Sequence, residues 1–305
     1  MTDQGGASNQ NYAGRWIARV RGQIVAQGGT PDQARHAAQA SRPKETPEIV
    51  YMPPTSPFTF SPLLDKVRAA LPDVEIYLVG GAVRDAMLGR LSLDLDLVAA
   101  SDGIKLARRV ANALGADVFP LDEERDTGRV IVTEADGSRE KIDIATYRGA
   151  SLEEDIHNRD FTVNAMAVDL RTMSLFDPLS GAADLRAKKL RACSDTSLSD
   201  DPIRVLRGIR LAAALGFQIE PSTRKMMKSA APLLGQVSSE RVRDELFRIL
   251  EGSQASASVR ALEMLGVLQH ILPELEAMKG VAQPEPHVHD VWEHTLQVLS
   301  ALDEI

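Results

Sequence analysis

The hydrophobic and polar pattern of this chain changes period twice. Trp16 to Val20 and Gln23 to Ala26 are short β-prone runs on either side of Arg21-Gly22, which predicts a hairpin with a two-residue turn. Thr30 as N-cap, Pro31 at the first helical position and Gln33 three residues after the cap predict a helix running to about Ser41, and Glu48 to Met52 reads as a third strand. Pro53-Pro54-Thr55-Ser56-Pro57 blocks both helix and central-strand pairing, so a linker and a domain boundary are expected there. Ser61 and Pro62 then start a helix whose Leu63, Leu64, Val67, Ala70 and Leu71 share one face. Strand Glu75 to Val79, helix Ala82 to Leu88, strand Leu93 to Ala99 and helix Ile104 to Leu114 follow. Arg129 to Thr133 and Lys141 to Thr146 flank Asp136-Gly137, a strong hairpin signal. After about residue 185 the strand signals stop. Helical periods take over, as in Ile203-Leu206-Ile209-Arg210-Ala213, and continue through Leu233 to Leu250, Ala255 to Leu265 and Val291 to Leu302.

The fold class expected from this order is an α/β head, a small mixed sheet with helices, followed by an all-α neck and body, with a small ββαβ module in front. The expected boundaries are a module over residues 1-53, a linker over 54-61, a head over 62-185, a helical body over 186-280 and the start of a further helical domain over 281-305. The ββαβ module offers no catalytic constellation and is assigned no chemistry. The last helix runs to the end of the chain without a C-cap, so a fragment of a longer protein is expected.

Composition narrows the function classes. At 305 residues the chain is long enough for two or three domains and a substantial core. Met1 to Gln10 is polar, and no apolar run approaches the length needed to cross a bilayer, so a soluble, cytoplasmic protein with no membrane partner is the expectation. A single cysteine, Cys193, excludes an internal disulfide and a cysteine-rich zinc site. The net charge is −8, yet residues 186 to 248 carry 13 Lys and Arg against 7 Asp and Glu. That local basic surplus suits phosphate contacts, and it equally describes a solvated helix face.

The chemistry concentrates in Leu78-Val79-Gly80-Gly81-Ala82-Val83-Arg84-Asp85 and Asp94-Leu95-Asp96. Successive side chains on a strand alternate faces, so Asp94 and Asp96 point the same way and can share a site. Magnesium takes oxygen ligands from one or two carboxylates plus substrate phosphates, while Gly80 and Gly81 let backbone N–H groups approach a triphosphate. Phosphoryl transfer is the reading; taken alone, Asp-x-Asp also describes a solvated strand edge.

Taken together, these motifs resemble the class II tRNA nucleotidyltransferase and poly(A) polymerase family over roughly residues 60 to 280. LVGGAVRDAMLGR with LDLD is similar to the family's GG-x-V-R-D and D-x-D, and the resemblance implies that Asp94 and Asp96 bind the catalytic metals, with Arg84 and Asp85 at the triphosphate. Two metal ions about 3.5 to 4 Å apart would clamp an in-line displacement. The strand around Asp143 resembles the family's carboxylate-V-A-T-F-R strand, which makes Asp143 the candidate third carboxylate. Asn158-Arg159-Asp160-Phe161-Thr162-Val163-Asn164-Ala165 resembles R-R-D-F-T-x-N-A, with Asn in place of the first Arg. It implies that Arg159, Asp160 and Asn164 bind the nucleotide, Asp160 accepting from the 2′-hydroxyl and Arg159 steering phosphate or orienting Asp160.

Asp200-Asp201-Pro202-Ile203-Arg204-Val205-Leu206-Arg207 resembles E-D-P-x-R-x-L-R, with Asp in place of Glu, and adds Asp201, Arg204 and Arg207 to the nucleotide site. C and A both present an exocyclic amine donor beside a ring-nitrogen acceptor, whereas U and G present a carbonyl beside an N–H. An acceptor at Asp201 and a donor at Arg204 complement only the first pattern. A mismatched base leaves buried polar groups unpaired at roughly 1 to 3 kcal/mol each. The bland alternative is an i, i+3 surface ion pair worth about 0.3 kcal/mol. His287, His289, Asp290 and His294 resemble the opening of an HD phosphohydrolase domain, whose central His-Asp dyad does not occur before Ile305; partly solvated histidines are the preferred reading.

The resemblance implies a nucleotidyltransferase that adds CCA to the 3′ end of tRNA from CTP and ATP with Mg2+ and no nucleic-acid template. Poly(A), CC-only and A-only addition share every motif above. A catalytically silent RNA-binding protein and an HD phosphohydrolase are the alternatives from other classes. The expected partners are the tRNA acceptor end, CTP and ATP, with a second copy of the chain a candidate.

Overall fold

The structure, a computed structural model, describes residues 15–52, 59–134 and 136–304; the polar N-terminus, the expected linker from Pro53 to Pro57 and Ile305 lie outside the described residues. By its contacts the chain divides into two units, Met1–Leu152 with Ala167–Phe176, and Glu153–Met166 with Asp177–Ile305.

In the first unit, β1 (Arg15–Val20) and β2 (Gln23–Gly28) form the expected hairpin. Arg21 and Gly22 both take positive φ, 53° and 79°, which matches the twist of a tight hairpin. Helix α1 (Pro31–Ser41) starts as read: Thr30 Oγ1 accepts from Gln33 N at 3.2 Å. In return Gln33 Oε1 accepts from Gly29 N at 3.0 Å, one residue before the cap. Strand β3 (Glu48–Met52) adds to β1, giving the order β2-β1-β3.

The head of this unit contains α2 (Leu63–Ala70), β4 (Ile76–Val79), α3 (Gly81–Met87), β5 (Asp94–Ala99), α4 (Gly103–Leu114), β6 (Asp117–Asp122), β7 (Thr127–Thr133), β8 (Arg139–Thr146), β9 (Ala167–Asp169) and β10 (Leu175–Phe176). The seven-stranded sheet runs β10-β9-β4-β5-β8-β7-β6, and only the β5–β8 pair is parallel. One face is apolar, with Leu78, Leu95, Leu97, Val130, Ile142 and Ile144 all at most 1 % exposed. Helix α4 packs on β7 and β8 through Leu106, Ala107, Val110 and Ala111. Burying each large aliphatic side chain contributes about 1.5 to 3 kcal/mol, so the sheet has one fixed inner face and one open face.

The second unit is mainly helical: α5 (Leu152–His157, with Leu152 itself at the border), α6 (Gly181–Arg186), α7 (Ser197–Asp200), α8 (Arg204–Leu215), α9 (Pro221–Ala230), α10 (Ser239–Leu250), α11 (Ala255–Met264), α12 (Leu268–Ile271), α13 (Pro273–Glu276) and α14 (Val291–Leu302). A short parallel pair, β11 (Lys189–Leu190) with β12 (Gln218–Ile219), interrupts the expected all-helical body. The helix expected over Leu233 to Leu250 is split into a 3₁₀ segment Ala231–Gln236 and α10, because Gly235 and Val237 are poor helix formers ahead of the Ser238-Ser239 start. Among the described residues no helix is long and apolar enough to cross a membrane.

Candidate active site

The open face of the head sheet carries the acidic cluster. Sheet register sets one transverse row: Val79 is opposite Asp96, Asp96 opposite Asp143, Asp143 opposite Arg129 and Arg129 opposite Phe119. Directly opposed residues share a face, so Asp96, Asp143 and Arg129 emerge side by side, with Asp94 two residues from Asp96 on the same side of β5. Leu95 and Leu97 between and beyond them point into the core. The Asp-x-Asp reading of β5 therefore holds at the level of geometry.

The carboxylates have protein counter-charges. Arg129 grips Asp143 at two points, Nε to Oδ1 and Nη2 to Oδ2, both at 2.7 Å, with the pair half-buried. The hydrogen bonds that Arg129 donates to Asp143, and then the charges of Asp143, Asp94 and Asp96, raise the Arg129 pKa above its ordinary value. Lys141 Nζ lies 3.9 Å from Asp94 Oδ1 on the exposed side of the row. Among the described residues no three His, Cys, Asp or Glu side chains already converge as a complete metal cage. The donor set still fits a hard divalent cation: Asp94 and Asp96 offer accessible carboxylate oxygens from one strand face, and such an ion completes its shell with water and substrate phosphates.

Beside this row, Gly80 ends β4 with φ +76° and ψ −138°, a conformation that a side chain disfavours. The chain enters α3 there, and Arg84 turns onto Asp85, Nε to Oδ1 at 2.8 Å and Nη2 to Oδ2 at 2.9 Å. Arg84 is thus held in a fixed orientation by its neighbour.

In the second unit the candidate residues cluster around Asp160, a residue only 6 % exposed. Asp160 Oδ1 accepts from Phe161 N at 2.8 Å and from Asn164 Nδ2 at 3.1 Å. Asp160 Oδ2 lies 3.1 Å from Arg207 Nη2 as an ion pair, but among the described residues it has no partner in hydrogen-bond geometry, and neither has the buried Arg207 Nε. A buried carboxylate oxygen with unused acceptor capacity is what a ligand hydroxyl would satisfy. The orienting contact expected from Arg159 is made by Asn164: Arg159 instead binds the fully buried Asp155, Nη2 to Oδ2 at 2.7 Å and Nε to Oδ2 at 3.0 Å. Adjacent side chains diverge, whereas residues four apart face each other.

Arg204 and Asp201 do not pair with each other. Arg204 Nη1 donates to Ser197 O and Ser197 Oγ at 3.0 Å and to Arg159 O at 3.3 Å, while Nη2 donates to Asn158 O at 2.8 Å. Asp201 accepts from Arg241 Nη2 at 2.9 and 3.1 Å. The simple i, i+3 ion pair is therefore absent, and Arg204 ties the Asn158–Asp160 segment to the start of α7. Nearby, burial and then the charge of Asp160 push the Cys193 thiol up to about 12, so it remains neutral at physiological pH. At the C-terminal end Asp290 is spent capping α14, accepting from Glu293 N at 2.8 Å and Gly280 N at 2.8 Å, and His287 contacts His294 edge to face at 5.1 Å.

Arg129, Ser197, Asp155 and Arg241 are the site residues that sequence reasoning missed. For Arg129 the signal was off by one: a two-residue turn at Asp136-Gly137 pairs residue 130 with residue 143, whereas the observed register places Arg129 opposite Asp143.

The head thus carries an acidic open sheet face, and the helical part that follows carries a buried carboxylate oxygen with unused acceptor capacity. Residues 76–191 match the family model described as "Poly A polymerase head domain", and residues 216–279 match "Probable RNA and SrmB- binding site of polymerase A". The CC-adding tRNA nucleotidyltransferase of Geobacter sulfurreducens is 44% identical over 191 residues, covering 63% of this chain and 44% of that protein. The A-adding tRNA nucleotidyltransferase of Deinococcus radiodurans is 39% identical over 230 residues, covering 74% of this chain and 51% of that protein. A crystal structure of a tRNA nucleotidyltransferase with a primer tRNA and an incoming ATP analogue superposes with a TM-score of 0.64 at 30% identity, covering 79% of this chain and 67% of that one. The chain belongs to the poly(A) polymerase and tRNA nucleotidyltransferase family. It spans about half the length of the curated relatives it matches.

Proposed function

We propose that this chain carries a template-independent nucleotidyltransferase that builds the CCA end of tRNA from CTP and ATP in the cytoplasm, with Mg2+ as its divalent cation. The observation that carries this reading is the transverse row on the open sheet face, Asp96 opposite Asp143 with Asp94 alongside on β5. In the reaction the 3′-hydroxyl oxygen of tRNA bonds to the α-phosphorus of the nucleotide, and the bond to pyrophosphate breaks. A bound pair of divalent ions would activate that hydroxyl and stabilise the departing pyrophosphate. Asp94 and Asp96 would hold the ions. The backbone at Gly80 and Gly81 gives phosphates close approach, and Arg84, fixed by Asp85, directs positive charge at them.

The helical unit supplies selection. The unused acceptor on Asp160 Oδ2 suits a ribose 2′-hydroxyl, which a deoxynucleotide lacks. In this reading Asp201 exchanges Arg241, and Arg204 exchanges main-chain carbonyls, for the Watson–Crick edge of C or A. The basic surplus after Arg186 follows acceptor-stem phosphates and recognises shape. The head over residues 62-152 and 167-176 is the proposed carrier of the metal and phosphate role, and Glu153–Met166 with the body over 186-280 the proposed carrier of selection.

A second reading, addition of CC alone, is supported by the Geobacter relative, whose name is CC-adding, while the Deinococcus relative is A-adding. One experiment separates them. The protein is incubated with tRNA lacking its CCA end and with CTP, ATP, UTP or GTP, singly and combined, and products are resolved to one nucleotide. Three additions ending in A support CCA synthesis, and a stop after two C residues supports the second reading. Repeated addition from ATP alone contradicts both, and tRNA binding without incorporation favours a silent RNA-binding protein.

A further inference from the structure

The family resemblance makes Asp143 the candidate third carboxylate, yet the structure commits both of its oxygens to Arg129. The guanidinium meets the carboxylate fork to fork, at 2.7 Å on each side, from the neighbouring strand. The pair is half-buried, with Arg129 29 % and Asp143 20 % exposed, so solvent screens it incompletely. Register fixes the arrangement: Arg129 and Asp96 flank Asp143 on opposite sides, so any cation shared by Asp96 and Asp143 must approach the guanidinium across one strand. Lys141 at 3.9 Å from Asp94 gives the row a second internal cation, but it is a single long contact on the exposed side, without a fork.

We propose that Arg129 is a positioning residue that reserves Asp143 in the resting protein, so that a free divalent cation meets only the Asp94–Asp96 pair and full loading depends on the nucleotide's phosphates. This inference rests on the cation reading of Asp94 and Asp96. Two physical terms have opposite signs. Arg129 preorganises Asp143, which favours any ligand that uses it. Against that, it places a unit positive charge next to a doubly charged ion and occupies one acceptor direction on each Asp143 oxygen. Repulsion of a divalent ion acts at twice the strength of a single-charge contact over a partly desolvated path, whereas ordering one short side chain is a small effect, so competition dominates.

The test measures Mn2+ binding directly, by the loss of the free-ion paramagnetic resonance signal, on the full chain without nucleotide. Arg129→Gln removes the charge and the fork, and we expect Mn2+ to bind about tenfold more tightly. Arg129→Lys keeps the charge and loses the fork, and its affinity should fall between the two. With CTP present the difference between Arg129→Gln and the parent should shrink, and the Mn2+ concentration giving half-maximal incorporation into tRNA should fall. Arg129→Met serves as a second neutral variant, with thermal unfolding as the folding check on each. Unchanged or weaker Mn2+ binding in both neutral variants overturns the proposal. Asp96→Asn separates this failure from failure of the underlying function: if it binds Mn2+ as well as the parent, the cation site itself is misassigned, whatever Arg129 does.

Discussion

Gly208→Ala adds a single methyl group beside the Asn158–Ala165 segment, and the structure specifies what it meets. A Cβ at position 208 would lie 2.3 Å from Met227 Cε, 2.6 Å from Phe161 Cζ and 3.3 Å from Phe161 Cε1. Carbon atoms pack best at about 3.5 to 4.0 Å, so the neighbours must retreat by roughly 1 Å. The thioether end of Met227 can swing, but Met227 and Phe161 are both fully buried, so their own neighbours must shift with them. Overpacking of this kind costs about 1 to 3 kcal/mol. Alanine inside a helix is otherwise better than glycine by roughly 0.5 to 1 kcal/mol. The strain wins, and α8 should lose about 1 kcal/mol, read as faster amide hydrogen exchange along Arg204–Leu215. The disturbance also reaches chemistry, because the amide of Phe161 donates to Asp160 Oδ1 at 2.8 Å. Discrimination between CTP and deoxy-CTP should therefore fall. In a Met227→Ala background the methyl group has room on one side, and the added cost of Gly208→Ala should shrink. Slower exchange in α8 with unchanged ribose discrimination would refute the reasoning.

Three further outcomes follow from particular contacts. Arg204→Ala should blur selection of CTP and ATP over UTP and GTP in single-nucleotide incorporation; it should also loosen the Asn158–Asp160 segment, since it removes bonds to Asn158 O, Arg159 O and Ser197, and unchanged selectivity would remove Arg204 from base recognition. Asp126→Ala should cost about 1 to 2 kcal/mol in thermal or urea unfolding, because its carboxylate caps α4 through Gly103 N and Ile104 N and binds Thr146 Oγ1. The same residue predicts a pH dependence. Burial alone would raise its pKa, but the bonds from Thr146, Ile104 and Gly103 together outweigh burial and hold it below the ordinary value. Its contribution is therefore complete above about pH 4 and is lost as pH falls through the lower folded value, a loss that should be missing from the acid unfolding of Asp126→Ala.

How far the sequence was legible depended on how local each interaction is. The Asp94–Asp96 pair could be read because strand period two is a local rule, and the observed sheet keeps Leu95 and Leu97 inside. The hairpin around Asp136-Gly137 was legible for the same reason, but its register was not: the loop is longer than the two residues of the turn signal, which moves the partner of Asp143 from residue 130 to Arg129. Strand β6 was not read because Pro120 interrupts it, and its position at the sheet edge explains why the proline is tolerated. The partners of Arg204 could not be read at all: its acceptors are carbonyls and a hydroxyl at residues 158, 159 and 197, whose convergence needs the tertiary fold. Arg159 misled because its neighbour Asp160 is adjacent in sequence while Asp155, four residues earlier, faces it.

The account stands most directly on one comparison, the incorporation of labelled CMP into tRNA lacking its CCA end by the parent chain and by Asp96→Asn, at matched Mn2+ or Mg2+, with tRNA binding measured in parallel. Losing one of the two carboxylates proposed to hold the ions should remove several kcal/mol of transition-state stabilisation, a drop of at least about 10³-fold in rate, while tRNA affinity should stay within about twofold, since the proposed phosphate contacts lie elsewhere. Incorporation by Asp96→Asn at near the parent rate would contradict the claim that the open face of this sheet is the catalytic surface.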